Sequence, residues 1–110
     1  MDAKFELFRS TINNQYYFRL KSRGNYETIL SSEGYETQQG RDNGVNSVRI
    51  NSQIDSHYER RGGISTFTFV LKSSNGEIIG RSETYASAAG RDNGIAAVKR
   101  DAPLAETKYV

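Results

Sequence analysis

The chain has 110 residues, of which 35% are hydrophobic and 25% charged, with 7 Tyr and 5 Phe. That suits one domain with a compact aromatic core and is too apolar for a disordered chain. Cysteine is absent, so disulfides and thiolate metal sites are excluded. A formal charge of +2, with both signs interspersed along the whole chain, gives nucleic acid little long-range attraction.

In chain order, the N-terminal Met-Asp-Ala-Lys-Phe-Glu-Leu-Phe lacks the basic-plus-apolar pattern of a signal peptide. No apolar run approaches the roughly 20 residues of a membrane span. The expectation is a cytoplasmic protein without membrane attachment. Phe5–Phe8 reads as a short first strand. Tyr16, Phe18 and Leu20 then alternate with period two and predict a second strand with that face inward. A third strand is expected around Tyr26–Leu30. Thr37 is placed as the N-cap of a helix in which Gly44, Val45 and Val48 share one side.

The same order then repeats. Gly-Arg-Asp-Asn-Gly occurs at 40–44 and again at 90–94, an offset of 50 residues, and the match extends in both directions. Ser32-Glu33 and Tyr35 correspond to Ser82-Glu83 and Tyr85. Phe18–Ser22 corresponds to Phe69–Ser73, with one extra residue in the turn of the first copy. Tyr58–Arg61 is the weaker counterpart of the first strand, and Phe67, Phe69 and Leu71 are its inward neighbours. Ser74-Asn75-Gly76 signals a hairpin. A strand follows around Glu77–Arg81, with its inward face left open by the adjacent Ile78 and Ile79. Ser87 caps the second helix, and Asp101-Ala-Pro103 stops it. The expectation is one domain of two β-β-β-α repeats, about 4–54 and 57–108. They form one antiparallel α+β sheet with two helices on one face, and the protein is a monomer.

Glycine inside a helix costs roughly 0.5–1 kcal/mol relative to alanine, and each helix carries two, Gly40 with Gly44 and Gly90 with Gly94. The pair presents a flat patch for close packing against strand aromatics (Tyr16, Phe18, Phe67, Phe69). The other reading is a loop of bare amides holding an anion. Arg41, Asp42 and Arg49 lie toward the edges of the apolar stripe, and Arg41, Asp42 and Asn43 recur as Arg91, Asp92 and Asn93. They read as helix-surface charges or as a paired binding site. Glu33 and Glu83 read as helix-start carboxylates or as an acid–base pair. His57, the single histidine, reads as an exposed connector residue.

The face of the sheet turned from the helices is the candidate binding surface. Tyr17, Arg19 and Lys21 point there from the first copy, and Thr68, Val70 and Lys72 from the second, with Phe8 beside them. Aromatics interleaved with cations on a sheet can stack bases, but one-sided antiparallel sheets commonly expose such mixtures.

The paired Phe-x-Leu-Lys-Ser strands, the Asn-Gly-Glu hairpin, Ser-Glu-x-Tyr before the helix and Gly-x-x-Asn-Gly-[Ile/Val]-x-x-Val resemble the YegP-like family of bacterial proteins. The resemblance covers nearly the whole chain. It implies a β3-α repeat, present as a tandem pair or as a dimer of single copies. One continuous antiparallel sheet is expected, with helices packed across the opposite half. Arg-Asp at 41–42 and 91–92 departs from the commoner small-plus-acidic pair, and the Ser10–Gln15 loop is longer. The family carries no established activity. The expectation for function is a small non-enzymatic interaction module without cofactor. The alternatives are single-stranded nucleic-acid binding on the open face, or a structural or stress-related role through protein contacts.

Overall fold

The computed structural model describes residues 2–110. Three strands, β1 (Lys4–Arg9), β2 (Tyr16–Lys21) and β3 (Thr28–Ser31), lead into α1 (Gln38–Asn51). A 3-10 turn at Asp55–His57 precedes β4 (Tyr58–Gly62), β5 (Phe67–Lys72), β6 (Ile78–Arg81) and α2 (Ala88–Asp101). A last strand, β7 (Glu106–Tyr109), follows the second helix.

The seven strands form one sheet in the order β4-β5-β6-β3-β2-β1-β7. β3 and β6 join the halves at Ser31 opposite Arg81. The expectation of a wholly antiparallel sheet needs one correction, because β7 crosses to the far end and lies parallel to β1, with Glu6 opposite Lys108. Sequence reading placed no strand there. Glu-Thr-Lys-Tyr has weak alternation, and all four residues of β7 are exposed.

The helices begin where their caps place them. The Gly40 amide donates to Thr37 Oγ1 at 3.0 Å, and the Gly90 amide to Ser87 Oγ at 2.9 Å. Each helix buries the expected stripe, Gly44-Val45-Val48 and Gly94-Ile95-Val98. Between sheet and helices lies one apolar core of Phe5, Phe18, Leu20, Leu30, Phe69, Leu71 and their neighbours. Its aromatics are arranged alike in both halves. Phe5 meets Phe18 edge-on at 5.8 Å, as Tyr58 meets Phe69 at 5.7 Å. Phe18 stacks on Tyr35 at 6.3 Å, as Phe69 stacks on Tyr85 at 6.5 Å. Of the ambiguous pair, Ile79 enters the core and Ile78 is half-buried.

The second glycine of each pair is where close approach is enforced. A Cβ on Gly44 would collide with the Tyr35 hydroxyl and lie 3.1 Å from the Phe18 ring, and one on Gly94 would collide with the Tyr85 hydroxyl. The filler is therefore chiefly Tyr35 and Tyr85, in place of the strand aromatics expected from sequence. Gly40 and Gly90 have nothing closer than their own caps, at 3.2 and 3.3 Å. Gly44→Leu and Gly94→Leu should each destabilise by about 1–3 kcal/mol despite better helix propensity. Thermal or urea unfolding measures this, and unchanged stability in both variants would refute the packing role.

Candidate functional site

The register sets a single row of side chains across the open face: Glu59, Val70, Arg81, Ser31, Arg19, Glu6 and Lys108, one from each strand. The first half builds an aromatic cluster beside this row. Tyr17 stacks on Phe8 at 5.6 Å with the rings 10° apart. The Arg19 guanidinium lies 4.7 Å over the Phe8 ring and donates to Glu6 Oε1 at 2.7 Å. Glu6 Oε2 accepts from the Tyr26 hydroxyl at 3.3 Å. Burial raises the Glu6 carboxyl, but the hydrogen bond and charge of Arg19, with Lys21 and Tyr26, outweigh it and hold it below the usual carboxylate range. Lys21 sits 5.6 Å over Tyr26 and donates to Thr28 Oγ1 at 3.0 Å. Tyr26 holds a left-handed φ of 57° beneath that ammonium group.

The second half does not reproduce this cluster. Arg61 stands where Phe8 does and Thr68 where Tyr17 does, so no aromatic pair forms. Lys72 is tied to Glu59 at 2.9 Å, and Arg61 pairs with the same carboxylate. Val70, placed by sequence on an exposed surface, is only 2% exposed. Its cross-strand neighbours are Glu59 and Arg81. Tyr17, Arg19, Lys21, Thr68 and Lys72 are half-buried. Glu6 and Tyr26 were missed from sequence. Glu6 was accessible to it, since it alternates with the inward Phe5 and Leu7.

The repeated helix motif divides. Arg41 was expected at the edge of the helix surface, yet its side chain is 1% exposed. β7 covers it: Nη2 donates to the Tyr109 hydroxyl at 3.2 Å, with the rings of Tyr109 and Tyr16 at 5.3 and 5.6 Å. Arg91, its counterpart, rests over Phe67 at 5.5 Å and donates to the Arg61 carbonyl at 3.2 Å. Asp42 and Asp92 pair with their neighbouring arginines. Asn43 and Asn93 are exposed. Asn93 borders an open groove of about 400 Å³ between α2 and the β2–β3 turn, shared with Tyr85, Arg23 and Glu27.

Glu33 and Glu83 do not act as helix-start charges, since neither first turn carries an acidic residue. Glu33 instead pairs with Arg81 across the junction of the halves. His57 is half-buried, with Nδ1 2.6 Å from Asn51 Oδ1, which corrects its reading as an exposed connector. Among the described residues no group of three His, Asp or Glu is placed to hold a metal ion. Among the described residues no helix is long and apolar enough to cross a membrane.

Known proteins share this architecture. A curated relative from Stutzerimonas stutzeri, a UPF0339 protein in the ptx operon 5' region, is 43% identical over 96% of this chain and 95% of its own length. The UPF0339 protein YegP of Escherichia coli K12 is 46% identical over 71% of this chain and 70% of its own. The solution structure of a UPF0339 protein from Shewanella oneidensis superposes with a TM-score of 0.90 at 40% identity, covering 99% of this chain and 92% of that one. The solution structure of Escherichia coli YegP, described as a protein of unknown function, gives 0.90 at 42% identity over 99% and 93%. None of these names carries a biochemical activity, and none favours nucleic-acid binding. The model of a domain of unknown function, DUF1508, matches twice, at residues 12–59 and 65–108, and the chain belongs to that family.

Proposed function

We propose that this protein is a non-enzymatic interaction module, a monomer in the cytoplasm, that meets a protein partner on the open sheet face at Phe8, Tyr17 and Arg19. Two β-β-β-α units, the second extended by β7, serve as a rigid frame for that surface. The observation carrying this reading is that three cations of the face already hold carboxylate partners. Arg19 is paired with Glu6, Lys72 with Glu59 and Arg81 with Glu33. A phosphate backbone would have to compete with carboxylates already in place. An aromatic stack framed by paired charges suits the polar and apolar mixture of a protein surface. Replacing Tyr17 by a photoreactive benzophenone amino acid in living cells tests this. The expected product is a discrete set of protein adducts that resist nuclease and are absent when the same group replaces Gln39 on α1. Adducts removed by nuclease, or none above the Gln39 control, would overturn the proposal.

A further inference from the structure

The two ends of the sheet are built alike and finished differently. At one end β7 lies along β1, anchored by Lys4 to Glu106 at 3.0 Å and by the Val110 amide to the Leu7 carbonyl at 3.1 Å. The aromatic residue of that segment, Tyr109, closes over Arg41. At the other end β4 has no strand on its outer side among the described residues. The registers of the two hairpins, Phe5 opposite Leu20 and Tyr58 opposite Leu71, make β4 the counterpart of β1 and Arg60 the counterpart of Leu7. The Leu7 carbonyl faces β7, so the Arg60 peptide groups face outward and unpaired by the same alternation. Beneath this edge Arg91 keeps one aromatic neighbour, Phe67, where Arg41 has two rings and a hydroxyl. Its side chain is 14% exposed against 1% for Arg41.

We propose that the outer edge of β4 is a docking site for an extended segment of another protein, added parallel to β4 and carrying a tyrosine that seats on Arg91. The chain's own β7 on β1 is the template for the geometry: main-chain bonds supply the pairing and the tyrosine supplies the selectivity. The charges on β4 discourage random strand pairing but leave its backbone free. Glu59 pairs with Arg61 and Lys72, and Arg60 with Asp55 and Asp92. A second copy is a poor occupant. Its β7 would have to leave its own β1 and uncover its own Arg41, so the exchange gains no net contact. The site lies at the far end of the sheet from Tyr17, and its success or failure is independent of the open-face proposal.

The test uses the full-length chain and a synthetic nine-residue peptide with the sequence of residues 102–110, added in trans. The β1 seat is already filled, so the peptide should bind one-to-one, with amide shift changes centred on Tyr58–Gly62. Arg91→Ala in the protein and Tyr109→Ala in the peptide should each weaken binding roughly fivefold. Arg60→Pro should abolish it while lowering thermal stability only slightly, because an outward amide of an edge strand pairs with nothing inside the fold and the ion pairs lost to Asp55 and Asp92 are solvent-exposed. The peptide variant leaves the protein untouched, so its outcome does not depend on the folding of a mutant. Absence of saturable binding, shift changes at Lys4–Arg9, or binding indifferent to these three substitutions would overturn the proposal. So would a dimer that Arg60→Pro dissolves, since that would make a second copy the occupant.

Discussion

Leucine in place of Gly80 is expected to destabilise the protein by about 1–3 kcal/mol, and the swap Leu30→Gly with Gly80→Leu should recover most of that loss. The reason lies at the seam between the halves. Leu30 on β3 faces Leu20, and Gly80 on β6 faces Leu71, so the two residues are equivalent positions meeting across the β3–β6 joint. Leu30 is fully buried and fills both places. A Cβ on Gly80 would stand 2.5 Å from Leu30 Cδ2 and 2.6 Å from its Cγ. Two leucines overfill the joint, whereas one leucine and one glycine fit it in either arrangement. Leu30→Ala alone should cost about 2–5 kcal/mol through the cavity it leaves. Urea unfolding of both single variants and the double variant forms a complete cycle. Strictly additive losses would show that the two positions do not share one space.

That seam was visible in the sequence as a mismatch inside the repeat: at an offset of 50, Leu30 aligns with Gly80. The repeat made strands and helices legible because each copy states its periodicity twice and corroborates the other. Where the copies part, the reading weakened. Arg41 and Arg91 are identical in sequence and stand on matching helix turns. Only the first is sealed, because β7 returns to the first half and brings Tyr109 onto it. A four-residue strand of weak alternation whose value lies in one contact at a separation of 68 residues leaves no local signal. Val70 shows a similar limit. Strand alternation sends it to the open face, yet it is buried there between Glu59 and Arg81 of two other strands. The open face is correspondingly asymmetric. Its aromatic cluster needs Phe8 and Tyr17 together, and the second copy has Arg61 and Thr68 there.

The loss of stability in acid should be measurably smaller in Asp101→Asn than in the parent chain, and the variant should be weaker by about 1–3 kcal/mol at pH 7. Asp101 ends α2 with its side chain 2% exposed. One oxygen accepts from the Arg23 backbone amide at 3.2 Å, tying the last helix to the β2–β3 turn of the other half. Arg100 grips the carboxylate through two nitrogens, each at 2.8 Å. Burial pushes this carboxyl up, but the Arg100 hydrogen bonds, the Arg23 amide and the two positive charges together bring it below its ordinary value. A carboxylate lowered in the folded state contributes stability that is complete above the unfolded value, about 3.9. That stability is lost as pH falls through the folded value. Asparagine keeps the shape and can still accept from the Arg23 amide, but it carries no charge to lose. Its stability between pH 7 and pH 3 should therefore fall less than that of the parent. Glu6, lowered in the same direction on the open face, accounts for part of the remaining slope, so Glu6→Gln with Asp101→Asn should flatten the profile further. Urea unfolding at closely spaced pH values reads both effects. An Asp101→Asn curve that runs parallel to the parent down to pH 3 would show that this carboxylate is not what joins the two halves electrostatically.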